Sequence, residues 1–259
     1  MMDTYLGQQF GLKGQRILIT GGYRGLGLAM ARGLARAGAE VALNGRSREK
    51  VEEAVAALRA EGLKAHAAVF DITEESSVKE GISALREAMG PVTVLFNNAG
   101  IHRRSPLEKM SLEDFRTVVE TNLTAAFLVA RTVVPDMFAA GAGKIINTCS
   151  LMSELARPTT GNYAAAKGGL KMLTRAMAAE WGGRNIQVNA IAPGYFLTEL
   201  TENLKADPEF DGWICGRTPA GRWGLPEELA GLAVFLASPA SSFINGQMIL
   251  ADGGLSSVI

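Results

Sequence analysis

Seven short apolar runs recur along the chain, at 16–20, 40–44, 65–70, 92–96, 144–149, 187–191 and 247–251, with helix-patterned stretches between them. Near-continuous apolar strands alternating with helices are the pattern of a parallel sheet covered on both faces. Right-handed crossovers then carry the carboxyl ends of all seven strands to one edge, where ligands bind in such sheets. Gly21, Asn98, Ser150 and Pro193 each follow a strand-like run, so that edge is where chemistry is expected. The chain of 259 residues has no short internal repeat, low-complexity tract or linker, and a single α/β domain over 1–259 is expected.

The first run passes into Thr20-Gly21-Gly22-Tyr23-Arg24-Gly25-Leu26-Gly27, followed by an amphipathic stretch at 28–37 that stops at Gly38. Strand, glycine-rich turn and helix together form a phosphate cradle. Gly21 allows the tight turn, Gly25 lets backbone approach a pyrophosphate, and Gly27 allows close helix packing, with the anion at the helix N-terminus. The spacing Gly-x-x-x-Gly-x-Gly departs from the usual Gly-x-Gly-x-x-Gly fingerprint. About twenty residues on, a carboxylate would bind the ribose 2′-hydroxyl of NAD. The chain reads Leu43-Asn44-Gly45-Arg46 there, with no acid. Arg24 and Arg46 can instead hold a 2′-phosphate, which favours NADP(H); if both are ordinary surface cations, NAD(H) is possible as well.

Ser150, Tyr163 and Lys167 supply a hydroxyl, a phenol and a cation. The Ala-rich segment around Tyr163 and Lys167 is helical in pattern, so the two share one face at i and i+4. An ammonium beside a phenol favours the phenolate, so Lys167 is expected to lower the Tyr163 pKa toward the range of a general acid/base. Such a set reduces carbonyls or oxidises alcohols.

On these residues the chain resembles the short-chain dehydrogenase/reductases from about Leu12 to Gly254. Thr20 to Gly27 looks like the family's cofactor turn, and Asn97-Asn98-Ala99-Gly100 like its fourth-strand motif. Asn122 matches its helical catalytic Asn, Ser150 lies thirteen residues before Tyr163 as the family pattern requires, and Pro193-Gly194 and Thr198 match its nicotinamide-side contacts. The resemblance implies a Rossmann-like doubly wound sheet. It further implies that Ser150 bonds the substrate oxygen, Tyr163 exchanges the proton, Lys167 binds the nicotinamide ribose, and Asn122 holds a water in the proton relay. Tyr23, Arg24, Leu26 and Asp71 join the implied cofactor contacts, Asp71 at the adenine; Asp71 as a cap for a helix starting near Thr73 is the competing reading. Ile101-His102-Arg103-Arg104, the segment 149–158 and the segment 217–224 are similar to the gluconate 5-dehydrogenases, which interconvert 5-keto-D-gluconate and D-gluconate. The 217–224 segment is shared with the 2-deoxy-D-gluconate 3-dehydrogenases. This narrower likeness implies a sugar acid as the small-molecule partner, with Arg104, Glu154 and Arg157 as candidate contacts beside Ser150 and Tyr163. Arg offers paired donors to a carboxylate. By resemblance the protein is a homo-oligomer, a tetramer. A dinucleotide-sensing protein would need the glycine turn but not the four catalytic matches.

The 26 basic and 26 acidic side chains cancel, so no net field draws nucleic acid or an anionic membrane. No run is expected to be long and apolar enough to span a membrane, and the start at residues 1–5 lacks signal-peptide regions, so the cytoplasm is expected. Cys149 and Cys215 suggest neither disulfide nor metal, and Cys149 reads as a small buried hydrophobe. His66 reads as structural. The segment at 195–224, broken by Pro208, Gly212, Pro219 and Gly221, reads as a long loop and substrate lid, with Trp213 and Trp223 as lid packing or oligomer contacts.

Overall fold

The computed structural model describes residues 5–199 and 201–258; residues 1–4, Leu200 and Ile259 lie outside it, and with them most of the start that was read for a signal peptide. Strands β1 (Arg16–Ile19), β2 (Glu40–Gly45), β3 (Ala65–Val69), β4 (Val94–Asn97), β5 (Gly143–Thr148), β6 (Ile186–Pro193) and β7 (Met248–Ala251) form one parallel sheet. Its order is β3-β2-β1-β4-β5-β6-β7. The chain winds outward from β1 to β3 and then crosses back to β4. The crevice between β1 and β4 is therefore the switch point at which such sheets take ligands.

The helices, in chain order, are α1 (Tyr5–Phe10), α2 (Gly25–Arg36), α3 (Arg48–Ala60), α4 (Glu75–Met89), α5 (Leu112–Val119), α6 (Ala125–Ala140), α7 (Gly161–Trp181), α8 (Glu202–Lys205), α9 (Pro208–Arg217) and α10 (Ala230–Ala237). Because side chains alternate across a strand, β1 sends Ile17 and Ile19 to one core and Leu18 to the other. The first core adds Met30, Leu34, Leu58 and Leu236 from α2, α3 and α10. The second adds Val78, Leu85, Val133 and Met177 from α4, α6 and α7. Burying each such aliphatic side chain stabilises the fold by about 1.5–3 kcal/mol, which is why both faces of the strands had to be apolar.

Two expectations are corrected. Leu112–Ala140 is one unbroken helical stretch of 29 residues whose most apolar window has a mean hydropathy of 1.4, long and apolar enough by composition to cross a membrane. Part of its apolar surface is spent on the core, with Val118, Leu128, Val129, Val133 and Met137 buried, while Leu112, Phe115 and Phe127 are exposed. The segment 195–224 is not a bare loop. Asp207 caps α9 by accepting from the Glu209 and Phe210 amides, and Pro208 occupies the first turn, where its missing N–H costs nothing. Phe196 bridges Gly224 at the base, and Leu151, Ile214, Trp223 and Leu255 make a small core beneath. Trp223 is buried there, donating to Asp211 at 2.7 Å, while Trp213 is exposed.

Candidate active site

The glycine turn lies where β1 meets β4. Gly21 (φ +62°) and Gly25 (φ +51°) hold left-handed conformations, and a Cβ on Gly21 would come within 2.9 Å of the Ala99 backbone. Asn98 braces the turn: its Nδ2 donates to the Thr20 and Gly21 carbonyls at 3.0 and 3.2 Å, and its amide donates to Thr20 Oγ1 at 2.9 Å. A Cβ on Gly27 would strike the Gly21 carbonyl at 2.5 Å, so Leu26-Gly27 can start the helix there only without a side chain at 27. Arg24 stands at the N-cap position of α2 and gives it no side-chain bond, so the first-turn amides keep their capacity for an anion. Thr198 faces Gly25 across the turn, and Gly194 donates to Ala251 at 2.9 Å, fixing the Pro193-Gly194 end of β6. A dinucleotide pyrophosphate fits this cradle.

The position expected to discriminate NAD from NADP is built by Tyr23. Its ring packs against Gly45, where a Cβ would come within 2.6 Å, and the Arg24 guanidinium lies 5.5 Å from the ring centroid. Asn44 turns inward and donates to the Ala68 and Phe70 carbonyls, leaving Arg46 to face outward. Arg24 pairs with Glu199 at 3.2 Å and Arg46 with Asp71 at 3.7 Å, both exposed and easily exchanged for a phosphate. Asp71 Oδ1 accepts from the Thr73 amide and hydroxyl in a local turn; α4 begins at Glu75, so Asp71 is not its cap.

Ser150, Tyr163, Lys167 and Asn122 converge past the ends of β4 and β5. Ser150 caps the short turn Leu151–Ser153, its Oγ accepting from the Met152 amide at 3.2 Å, while Ser153 Oγ donates to the Lys167 carbonyl at 2.9 Å. Lys167 is buried, lies 5.6 Å from the Tyr163 ring centroid, and donates to the Thr148 carbonyl at the end of β5. The expected lowering of the Tyr163 pKa is not found. Burial pushes the phenol up to about 12, and Ser150 and Arg104 offset only part of that. Lys167 is not among the groups that lower it; its ammonium donates to the Thr148 carbonyl, and burial has lowered its own pKa to about 8. Asn122 sits in the π-turn Glu120–Thr124 between α5 and α6, a distortion that recurs at functional sites. Its side chain is occupied on both sides by Ile101, accepting from the amide at 2.8 Å and donating to the carbonyl at 2.9 Å.

The segment beyond Gly100 forms the outer wall. Arg103 pairs with Asp114, and Glu154 Oε1 with Lys171 on α7 at 2.6 Å. Among the described residues Arg104 and Arg157 have no carboxylate partner in an ion pair. Burial, then Arg157, lowers the Arg104 pKa, while Tyr195 and Tyr163 raise it, which places these groups together. Arg157 donates to the Tyr195 hydroxyl at 3.1 Å and lies 5.0 Å from the Phe210 ring centroid, so it links the site to the 195–224 segment. Tyr195, in turn, packs edge-on to Phe210 and Trp223. Nothing in the spacing of residues 157, 195 and 210 along the chain announces these contacts. The His102 ring stacks on Tyr163 at 4.1 Å with planes 12° apart, a contact that spacing along the chain does not reveal. His66 bonds Glu40 at 2.6 Å and Cys149 is buried, both as expected of structural residues.

A family model described as enoyl-(acyl carrier protein) reductase matches residues 21–256. The chain belongs to the short-chain dehydrogenase/reductase family. Gluconate 5-dehydrogenase of Gluconobacter oxydans (strain 621H) is 54% identical to this family member over 246 residues, covering 95% of this chain and 96% of the relative. A 2-dehydro-3-deoxy-D-gluconate 5-dehydrogenase of Formosa agariphila is 48% identical, covering 96% of each. The crystal structure of a gluconate 5-dehydrogenase from Burkholderia cenocepacia J2315, in complex with NADP and tartrate, superposes with a TM-score of 0.96 at 49% identity, covering 98% of this chain and 100% of that one. Within the family, the seven-stranded parallel sheet and the glycine turn are where this chain's cradle stands.

Proposed function

We propose that this protein is an NADP(H)-dependent oxidoreductase that interconverts 5-keto-D-gluconate and D-gluconate. The observation that carries the reading is the pair Arg104 and Arg157, two guanidiniums that both act on His102, the ring stacked on Tyr163, and that among the described residues have no acidic partner in an ion pair. Paired donors of this kind match a carboxylate. The Gluconobacter and Burkholderia relatives support gluconate as the acid, and the NADP complex of the latter supports the cofactor.

The glycine turn and the α2 amides would hold the pyrophosphate, Arg24 and Arg46 the 2′-phosphate, and Lys167, Tyr163 and Thr198 the nicotinamide end. When bound, the cofactor supplies or accepts the hydride. Ser150 and Tyr163 hold the substrate oxygen between two hydroxyls. A phenol with its pKa pushed up to about 12 keeps its proton at neutral pH, so Tyr163 stands ready to protonate an oxygen during ketone reduction. Lys167, charged below about pH 8, keeps a cation beneath that proton transfer. Arg104 and Arg157 fix the far end of the substrate, and because Arg157 also bonds Tyr195, a carboxylate seated there meets the lid as well. The same reading extends to a cytoplasmic homotetramer, supported by the family habit and by the exposed apolar side chains Leu112, Phe115, Phe127 and Met172; mass in solution tests it.

The test is a panel of keto sugar acids, including 2-deoxy and 2-dehydro-3-deoxy acids, with NADPH and NADH, on the wild-type protein and on Arg104→Met. Wild-type protein should prefer 5-keto-D-gluconate with NADPH. The Arg104→Met change should raise KM for the acids while sparing a neutral keto sugar. Equal losses on charged and neutral substrates would overturn the carboxylate assignment, and faster turnover of a deoxy acid would overturn the substrate.

A further inference from the structure

The strip Ile101–Arg103 is pinned from two sides. Asn122 clamps both the amide and the carbonyl of Ile101, and Asn162 Nδ2 donates to the Arg103 carbonyl at 2.9 Å. Asn162 also accepts from the Tyr163 amide at 2.8 Å, so the same residue holds the strip and the catalytic helix in register. Between the two clamps lies His102, its ring stacked on the Tyr163 phenol at 4.1 Å. A side chain mounted on backbone fixed at both neighbours is preorganised, as a group that positions a ligand has to be.

The ring has an unfinished polar requirement. Its Nδ1 is buried and has no hydrogen-bond partner among the described residues. The charged groups that face it are all cations, Arg104, Arg157 and Lys167, and together with burial they lower its pKa to about 4. The imidazole is therefore neutral at physiological pH, with one nitrogen donating and the other accepting. A carboxylate is served by the arginines, and the reacting oxygen by Ser150 and Tyr163. What remains for a neutral ring stacked on the phenol is a neutral group on the substrate close to the reacting carbon. A hydroxyl satisfies either tautomer, since it both donates and accepts.

We propose that His102 is a substrate-binding residue whose Nδ1 recognises the hydroxyl on a carbon next to the reacting carbonyl, while its ring face holds the Tyr163 phenol in line. This rests on the polyhydroxy keto acid proposed above and makes the enzyme selective for α-hydroxy ketones over deoxy ketones. A site built to bond a hydroxyl rejects the analogue lacking it, because its own polar group is then left unpaired.

Two variants separate the parts of the ring. His102→Phe keeps the stack and removes both nitrogens; His102→Asn places an amide near the Nδ1 position and removes the stack. Each is titrated, as its NADPH complex, with D-gluconate and with gluconates deoxygenated at carbon 4 or carbon 6, so that no turnover intervenes. His102→Phe should weaken D-gluconate binding by about tenfold or more, the range for stranding one hydrogen-bonding group. It should leave one of the two deoxy acids unaffected, and His102→Asn should recover part of the D-gluconate loss. NADPH affinity, measured by fluorescence, should stay at the wild-type level in both, showing an intact fold. Equal weakening for D-gluconate and both deoxy acids, or none for D-gluconate, overturns the proposal. Wild-type turnover of 5-keto-D-gluconate judges the proposed function separately. If the wild-type enzyme reduces another keto acid instead, the same titration with the corresponding hydroxy acid and its neighbouring deoxy forms decides the role of His102.

Discussion

Replacing Lys167 with Met separates what the site needs for chemistry from what the fold needs for stability. Met has similar length and no charge, and the position is buried. Two terms oppose each other at pH 7. Burial has lowered the Lys167 pKa from 10.5 to about 8. At about 1.4 kcal/mol per pH unit, holding the ammonium in the folded state costs about 3 kcal/mol, and the variant removes that cost. The variant also strands the Thr148 carbonyl, which costs about 1–3 kcal/mol. The two nearly cancel, so the variant should be within about 2 kcal/mol of wild type at pH 7, or slightly more stable. Its turnover should nevertheless collapse, because the cation beneath Tyr163 is gone. The pH dependence fixes the interpretation. Between pH 8 and 10.5 the unfolded chain binds more protons at this lysine than the folded one, so wild-type stability rises with pH through that window. The variant lacks this rise and should fall behind by about 3 kcal/mol by pH 10. Lys144, also lowered to about 8 by burial, contributes equally to both proteins and drops out of the difference. Urea unfolding of both proteins at pH 7, 8, 9 and 10 is the assay. A stability difference that stays constant across this range would refute the reasoning, since it would mean that the buried ammonium carries no desolvation cost.

Two further outcomes are expected. Tyr163→Phe deletes one hydroxyl from the stacked pair and should lower turnover by at least about a hundredfold in a single-turnover reduction assay, with NADPH binding retained. Near-normal turnover would remove Tyr163 as the proton donor. Arg46→Gln should weaken NADPH by about tenfold in a fluorescence titration, through loss of charge-assisted bonds worth about 1.5–3 kcal/mol, and should leave NADH nearly unchanged; equal effects on both cofactors would mean that Arg46 serves Asp71 rather than a 2′-phosphate.

The strands, the glycine turn and the shared face of Tyr163 and Lys167 were legible in the linear chain because each rests on local rules. A parallel strand covered on both faces must be apolar throughout, and Gly21 and Gly25 are needed wherever φ turns positive. Tyr163 and Lys167 share a face because they are one helical turn apart. Helix α9 was missed for a local reason too: Ile214 faces the small core while Phe210 also meets Arg157, so no one-sided stripe marks it.

Charge states and pairings were settled only by tertiary structure. Glu154 pairs with Lys171 on α7 and Arg103 with Asp114 on α5, partners that lie 17 and 11 residues away in the chain. The phenol of Tyr163 was expected to be lowered by Lys167, and burial raised it instead. Burial and the neighbouring cations hold the His102 ring neutral against the phenol. Periodicity and spacing along the chain determine which backbone a segment adopts and which residues share a face. Desolvation and the choice of ionic partner depend on what the folded chain brings within a few ångströms, often from residues far apart in sequence, and no local pattern encodes that distance.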